Sequence, residues 1–524
     1  KFDLHGSGSI HAAMSLLNRK PFEIVSKTER NITDILGHVT FDGTVELILK
    51  KNIKMQDVSY DITGVLQNVR TEALVPEKII SSKSLNFTVT SETVRIFGDG
   101  TISEVPFSGS WTQPLGKAGL ASSVSARLEI SNTSLKNLGF SLPDKVLSGN
   151  ANGSLTFDIE KGLPISFNFK SDLLGAGIEV PALSWKKETT LPANFQISGT
   201  FSKPITISQF NLKSKDFSTS GDMEFDDVGL KNISLNELKV GMWLSSDVIL
   251  ERRELGDPMH ITLSGGTLDL RDLPVGKSTG AIAPINARLD NLRISDDLAL
   301  TNVSANFVGG DGFNGKFSGK VNDGTFLTGN VTGRGKSLRL DLSSSDAGGT
   351  LRDAGLLRQA NGGYMQLALT PSDAGWNADM QISDVRVKDA PQIAQLLSAI
   401  SVVGLPDQID GKGIFFNTIE SKFNINNDIF TVYSSSAVGP SLGLSLDGYI
   451  NSNRKIIDLQ GVLSPFYLVN GIGAFLTRQG EGLIGFNFNL KGTTAQPVAT
   501  VNPLSVFTPG MFREIFRRPA PKQN

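Results

Sequence analysis

The sequence predicts a mostly β protein: a long, curled, largely antiparallel sheet forming an elongated open groove, with a few short helices near its C-terminal end. Three observations predict it. Apolar residues recur with period two, Gly-, Asn- and Asp-containing turn signals interrupt them at short spacing, and helical periodicity is rare. Leu155, Phe157 and Ile159 alternate with Thr156 and Asp158. After Lys161-Gly162-Leu163-Pro164, Ile165, Phe167 and Phe169 alternate with Ser166 and Asn168. Phe195, Ile197 and Phe201 share a parity, as do Met223 and Phe225, and Phe423 and Ile425. Leu442, Leu444 and Leu446, then Phe486, Phe488 and Leu490, continue the pattern.

Asp42-Gly43, Asp99-Gly100, Asn152-Gly153, Asp311-Gly312, Asn322-Asp323-Gly324 and Asp447-Gly448 are expected to be hairpin turns, because these residues tolerate positive φ. Helices are expected at few places. His11 to Asn18 predicts a helical turn. Gln392 to Val403 places Ile393, Leu396, Leu397, Ile400 and Val403 on one face, after Pro391 and before Gly404-Leu405-Pro406. Pro465 to Leu476 predicts a short apolar helix, and Thr508 a cap for a terminal helix bearing Met511, Phe512, Ile515 and Phe516 beside Arg513, Arg517 and Arg518. The tail 519–524 is expected to be disordered.

Composition then removes whole classes of function. The 524 residues carry a net charge of −2, which argues against a polybasic nucleic-acid binder. With no cysteine there is no disulfide framework, thiol nucleophile or Cys-ligated metal. The 4 histidines, His5, His11, His38 and His260, are scattered, so no metal centre or other cofactor is expected. No phosphate-binding loop, His-Glu-x-x-His or Gly-x-Ser-x-Gly is present. Asp226-Asp227 and Asp296-Asp297 read as loop acids without a third ligand, and Ser343 to Ser345 and Ser434 to Ser436 have no neighbouring His. The expectation is a protein that is not an enzyme. The charge-free stretch Leu459 to Thr477 contains Gln460, Ser464, Pro465 and Asn470, too polar a set for a spanning helix. A start at Lys1 without a leader pattern suggests a piece of a longer protein.

The aromatic content is mainly hydrocarbon, with Phe 30 against Tyr 5 and Trp 4. Such faces suit acyl chains, which offer no hydrogen-bond partner. Candidate groove-lining residues are Phe157, Ile159, Phe167, Phe169, Ile197, Phe225, Phe486 and Phe488. Leu396, Leu397, Phe466, Phe475, Phe512 and Phe516, on the expected helices, are candidates for capping the groove or touching a membrane.

Longer motifs add a resemblance. Asp410-Gly411-Lys412-Gly413-Ile414-Phe415-Phe416, Gly439-Pro440-Ser441-Leu442, Leu446-Asp447-Gly448-Tyr449, Gly480-Glu481-Gly482-Leu483 and Pro497-Val498-Ala499-Thr500-Val501-Asn502-Pro503 stand in the C-terminal third. This run resembles the C-terminal region of the AsmA-like bacterial envelope proteins, of the AsmA and YhdP type. Leu16-Leu17-Asn18-Arg19-Lys20-Pro21-Phe22 and Val105-Pro106-Phe107-Ser108-Gly109-Ser110-Trp111 are similar to the central region of YhdP-type proteins. The expected organisation is a YhdP-like region over 1–125, a continuing repetitive β-groove over 126–385, an AsmA-like region over 386–518 and the tail 519–524. The resemblance implies a periplasmic lipid-transfer bridge, tied to the inner membrane by an anchor outside this chain, that carries phospholipids towards the outer membrane. An envelope protein or the outer membrane itself would meet its C-terminal end, and nucleic acid is not an expected partner. The alternative is a structural scaffold for outer-membrane biogenesis, as in TamB-type relatives, without lipid transport.

Overall fold

The computed structural model describes residues 1–17, 35–47, 58–75, 78–115, 121–140, 142, 145–160, 162–274, 281–388, 413–465, 467, 477–508, 513 and 517–519. It is mostly β, as its period-two sequence requires. Twenty-nine strands make up a meander, and Leu147–Gly149, Ala176–Val180 and Trp185–Lys187 form a separate small sheet. The chain divides into two compact units, the first over Lys1–Arg252 with Pro274–Gly276, the second over Arg253–Leu273 with Lys277–Asn524. The boundaries expected at 125 and 385 instead fall within single strands, Ser122–Ile130 and Gly375–Val387.

In the first unit each sheet strand pairs antiparallel with the next along the meander, from Phe2–Ser9 through Leu244–Glu251, with the small sheet inserted between Ser122–Ile130 and Asn194–Phe201. The second unit opens with the one parallel pairing among the described strands, His260–Asp269 on Ile285–Arg293, and then runs antiparallel to Pro497–Asn502. Antiparallel neighbours need only tight turns, which is why so glycine-rich a chain can fold in sequence order.

Because consecutive strands reverse, their connections alternate between two rims of each sheet. In the first unit helix α1 (Ile10–Leu17), helix α2 (Asn132–Asn137) and the insertion over 172–193 all follow strands of one direction, so they share a rim. In the second unit helix α3 (Ala347–Asp353) and the turn Pro503–Phe507 share a rim in the same way. The chain also leaves and re-enters at that rim between 388 and 413 and between 465 and 486. The opposite rim carries short connections such as Asp226 to Gly229, Ser372 to Gly375 and Asn426 to Ile429.

This asymmetry decides where the core sits. Ile10 of α1 packs on Val39 and Val69, and Leu135 of α2 joins Leu147 against Leu128, Ile130 and Phe169. Ala347 and Leu351 of α3 enter the main core of the second unit with Leu300, Val321, Leu327, Met365 and Ile382. These are the strand ends at the decorated rim. Towards the plain rim the same apolar face is only half-buried, as at Phe157, Phe167, Val331, Leu340 and Ile425. The helices are fixed locally: Ser131 Oγ accepts from Ser134 N at 3.0 Å, and Asp346 Oδ1 from Gly349 N at 2.9 Å. The expected helix at His11 is present as α1, whereas those at Gln392, after Pro465 and after Thr508 lie outside the described residues; Pro465 itself ends a strand.

The expected turns need correcting. Asn322-Asp323-Gly324 is a turn, but Asp42-Gly43, Asp99-Gly100, Asn152-Gly153 and Asp447-Gly448 lie inside strands. Most of these glycines are there because a neighbouring strand lays a side chain over them. A β-carbon on Gly43 would come within 2.8 Å of Ile62, and one on Gly100 within 2.9 Å of the Phe107 ring. One on Gly153 would overlap the Phe169 ring. The same device recurs at Gly64 under Phe87, Gly329 under Phe317 and Gly461 under Phe488. A phenyl ring lying on bare backbone covers that backbone and projects little from the sheet. Gly448 differs, since its φ of +136° marks a break in register between Ile429–Val438 and Leu442–Asn451.

Two predictions follow from these contacts. Gly329→Ala is expected to destabilise the second unit by about 1–3 kcal/mol in chemical denaturation, because the Phe317 ring must lift from the sheet. Adding Phe317→Leu should recover part of that loss. Asp269, at the end of its strand, accepts from Arg271 Nε at 2.9 Å and Nη2 at 2.6 Å, which holds its pKa down to about 2. Its stabilising contribution is therefore complete above the unfolded value of about 3.9 and is lost as pH falls through about 2. The stability difference between wild type and Asp269→Asn should disappear over that interval in acid titrations.

Candidate functional site

The strongest candidate for a functional surface is the half-buried part of the apolar face. In the first unit Phe157 stands opposite Val124 on one side and Phe167 on the other. Phe167 in turn faces Gly199, which has no side chain, and Phe201 faces Ile165. The centroid of the Phe201 ring is 4.8 Å from that of Phe167 and 5.7 Å from that of Phe157. Three rings thus form one patch near the plain rim, with Phe201 still 45% exposed. Ile159 and Phe225 are half-buried at the same rim, Phe225 opposite Leu230.

The other named residues sit differently. Phe169 is 7% exposed and belongs to the core at the decorated rim, and Ile197 packs partly against that core. Phe486 and Phe488 are also buried, at 9% and 3%, opposite Leu463 and Gly461. The half-buried face of the second unit lies instead at the plain rim, where Phe423 and Phe430 stand 6.3 Å apart near Ile425 and the partly exposed Trp376. Period-two reading found the correct face at Phe486 and Phe488 but could not distinguish its sealed end from its open one. Leu396, Leu397, Phe466, Phe475, Phe512 and Phe516 lie outside the described residues.

The opposite face of the last strands carries a charged latch that the sequence did not announce. Ser445, Asp447 and Gln460 point away from the Leu442, Leu444 and Leu446 face, and all three are buried. Arg517 donates to Glu481 Oε1 at 2.5 Å and Asp447 Oδ1 at 3.0 Å; Gln460 Nε2 donates to Asp447 Oδ2 at 2.7 Å. Ser445 Oγ donates to Glu481 Oε1 at 2.6 Å. Arg513 donates from Nη1 to the Gly482 carbonyl at 2.8 Å, and burial lowers its pKa. On the outside, Arg518 grips Asp458 through two bonds of 2.9 and 2.7 Å, lowering the pKa of that carboxyl. Of the arginines placed on the expected terminal helix, Arg513 and the side chain of Arg517 are buried. The available signal was Asp447 and Gln460, polar residues at strand positions facing away from the leucines.

Nothing in this arrangement supplies a nucleophile with its base. Among the described residues no group of three or more His, Asp or Glu could hold a metal ion, and no helix is long and apolar enough to cross a membrane. His260 is buried, with its Nε2 3.3 Å from Asn286 Nδ2, as a structural side chain would be. No family model, no curated protein and no solved structure matches the chain.

Removing one partner of a buried ion pair leaves the other charge without compensation. Arg517→Ala is therefore expected to cost about 3–5 kcal/mol in the second unit. Arg518→Ala, at an exposed pair, should cost no more than about 1 kcal/mol, both read by denaturant titration.

Proposed function

We propose that this protein is a non-enzymatic lipid carrier whose apolar sheet face receives phospholipid acyl chains. The observation that supports this most is the patch of Phe157, Phe167 and Phe201, half-buried or exposed while the same face is packed at its other rim. A face closed along one edge and open along the other would accept tails laterally and leave headgroups in water. Moving a tail of ~16 carbons into water costs on the order of 13 kcal/mol, at ~0.8 kcal/mol per methylene, so a carrier must keep apolar contact along the whole path. Strands repeat every ~4.8 Å, so the meander of the first unit alone would present an apolar path well beyond the ~30 Å of a bilayer core.

In the AsmA-like, YhdP-type reading the carrier would work in the periplasm. A segment outside this chain would hold it to the inner membrane, and its C-terminal end would be directed towards the outer membrane. Rings laid over glycines support the same role, since they give a low floor without projecting obstacles.

The test compares two neighbouring phenylalanines. Phe167→Asp should abolish phospholipid co-purification, read by native mass spectrometry, while lowering stability by less than about 2 kcal/mol, because the new carboxylate can reach water. Phe169→Asp should unfold the first unit by burying a charge in its core. Wild-type protein free of phospholipid, or equal unfolding by both variants, would leave a scaffold without lipid transport.

A further inference from the structure

The polar side of the first unit carries a second surface, independent of the apolar face. Beside the insertion over 172–193 lies a cleft of about 910 Å³. Trp185, Leu191 and Pro192 line one part of it. Arg127, Lys170 and Lys213 reach it from three different strands, and Lys215 from the turn after the third. These four side chains have no ion pair or hydrogen bond among the described residues. Lys186 also lines the cleft but is paired with Glu188 at 3.0 Å. The acids that line it are Asp172 and Asp216, and Asp172 Oδ1 already accepts from Leu174 N at 3.0 Å.

Behind the cleft Lys187 is buried, its ammonium donating to the carbonyls of Leu173 at 2.8 Å, Ala176 at 2.7 Å and Glu188 at 3.2 Å. Among the described residues no carboxylate hydrogen-bonds to it; burial lowers its pKa, and the charge of nearby Asp172 opposes that shift only in part. Cations gathered in this way repel one another, and in a chain of net charge −2 they are not the by-product of a basic composition. An anion placed among them would remove that repulsion. The register also suits one: Ser154 is directly opposite Arg127 on one side and Lys170 on the other, so the two cations flank a hydroxyl at a separation of ~10 Å between strands. A guanidinium, an ammonium and a hydroxyl donor around one point match the oxygens of a phosphate group.

We propose that this cleft binds a phosphate-bearing anion, with Arg127, Ser154 and Lys170 around the phosphate and Lys213 and Lys215 balancing further negative charge. The inference goes beyond acyl-chain carriage, because Arg127, Ser154 and Lys170 stand at strand positions of opposite parity to the apolar Leu128, Leu155 and Phe169.

The experiment uses the full chain and two probes: inorganic pyrophosphate in isothermal titration calorimetry, and phosphatidylglycerol vesicles against phosphatidylcholine vesicles in flotation. Wild type is expected to bind pyrophosphate, phosphatidylglycerol vesicles or both, more weakly as salt rises. Binding of pyrophosphate, with or without the vesicles, assigns the cleft to the phosphate group itself, and binding of vesicles alone assigns it to a lipid surface; each supports the proposal. Lys170→Glu with Lys213→Glu should weaken binding at least about tenfold with an unchanged melting temperature, since both side chains are exposed and unpaired. Lys316→Glu with Lys320→Glu, in the second unit, makes the same change in net charge and should leave binding as it was. Absence of binding to either probe above the phosphatidylcholine background, or equal loss in both double variants, overturns the proposal.

Discussion

A phenyl ring resting on a glycine of the next strand is the contact on which this structure depends. A sheet with one apolar face ordinarily needs a second layer to cover it. Here Phe41 over Gly6, Phe87 over Gly64, Phe317 over Gly329 and Phe488 over Gly461 cover backbone from within the sheet. Each ring buries itself against a neighbouring strand and fixes the register of that pair, because a slip of one residue would set the ring against a side chain. The face is therefore partly self-covered, and among the described residues no complete second layer lies on its plain-rim side.

The decorated rims supply the rest of the packing. Short helices and one small sheet place a few aliphatic side chains over the strand ends. Stability is thus concentrated where Ile10, Leu135 and Leu351 meet the sheet. The polar side is organised separately, by the buried Arg517 pairs at one place and by the cationic cleft at another. In each unit the two faces thus obey different rules: apolar contact on one, and on the other buried ion pairs in the second unit and unpaired cations in the first.

Much of this was legible in the sequence, and the parts that were not have physical reasons. Strand class and face follow from parity, so Phe157, Phe167 and Ile197 were placed on one surface correctly. The glycines were misread because Asp-Gly and Asn-Gly serve two purposes, positive φ in a turn and bare backbone under a ring, and only the partner strand distinguishes them. Sealed and open ends of a strand carry the same residue types, which is why Phe169 and Phe488 could not be told from Phe167. The latch was hidden for a further reason: Asp447 and Arg517 are seventy positions apart, and sequence spacing says nothing of contacts that tertiary pairing creates.

The placement of α1, α2 and α3 has a consequence for how such a chain can vary in length. In the first unit successive decorations are separated by even numbers of sheet strands, for example Ala151–Ile159 and Ile165–Ser171 between α2 and the insertion that follows. A single added or deleted strand would reverse the direction of every later one and transfer its helices to the wrong edge. Growth or loss by whole hairpins preserves the arrangement, so the hairpin, rather than the strand, is the module by which this architecture can be extended or trimmed.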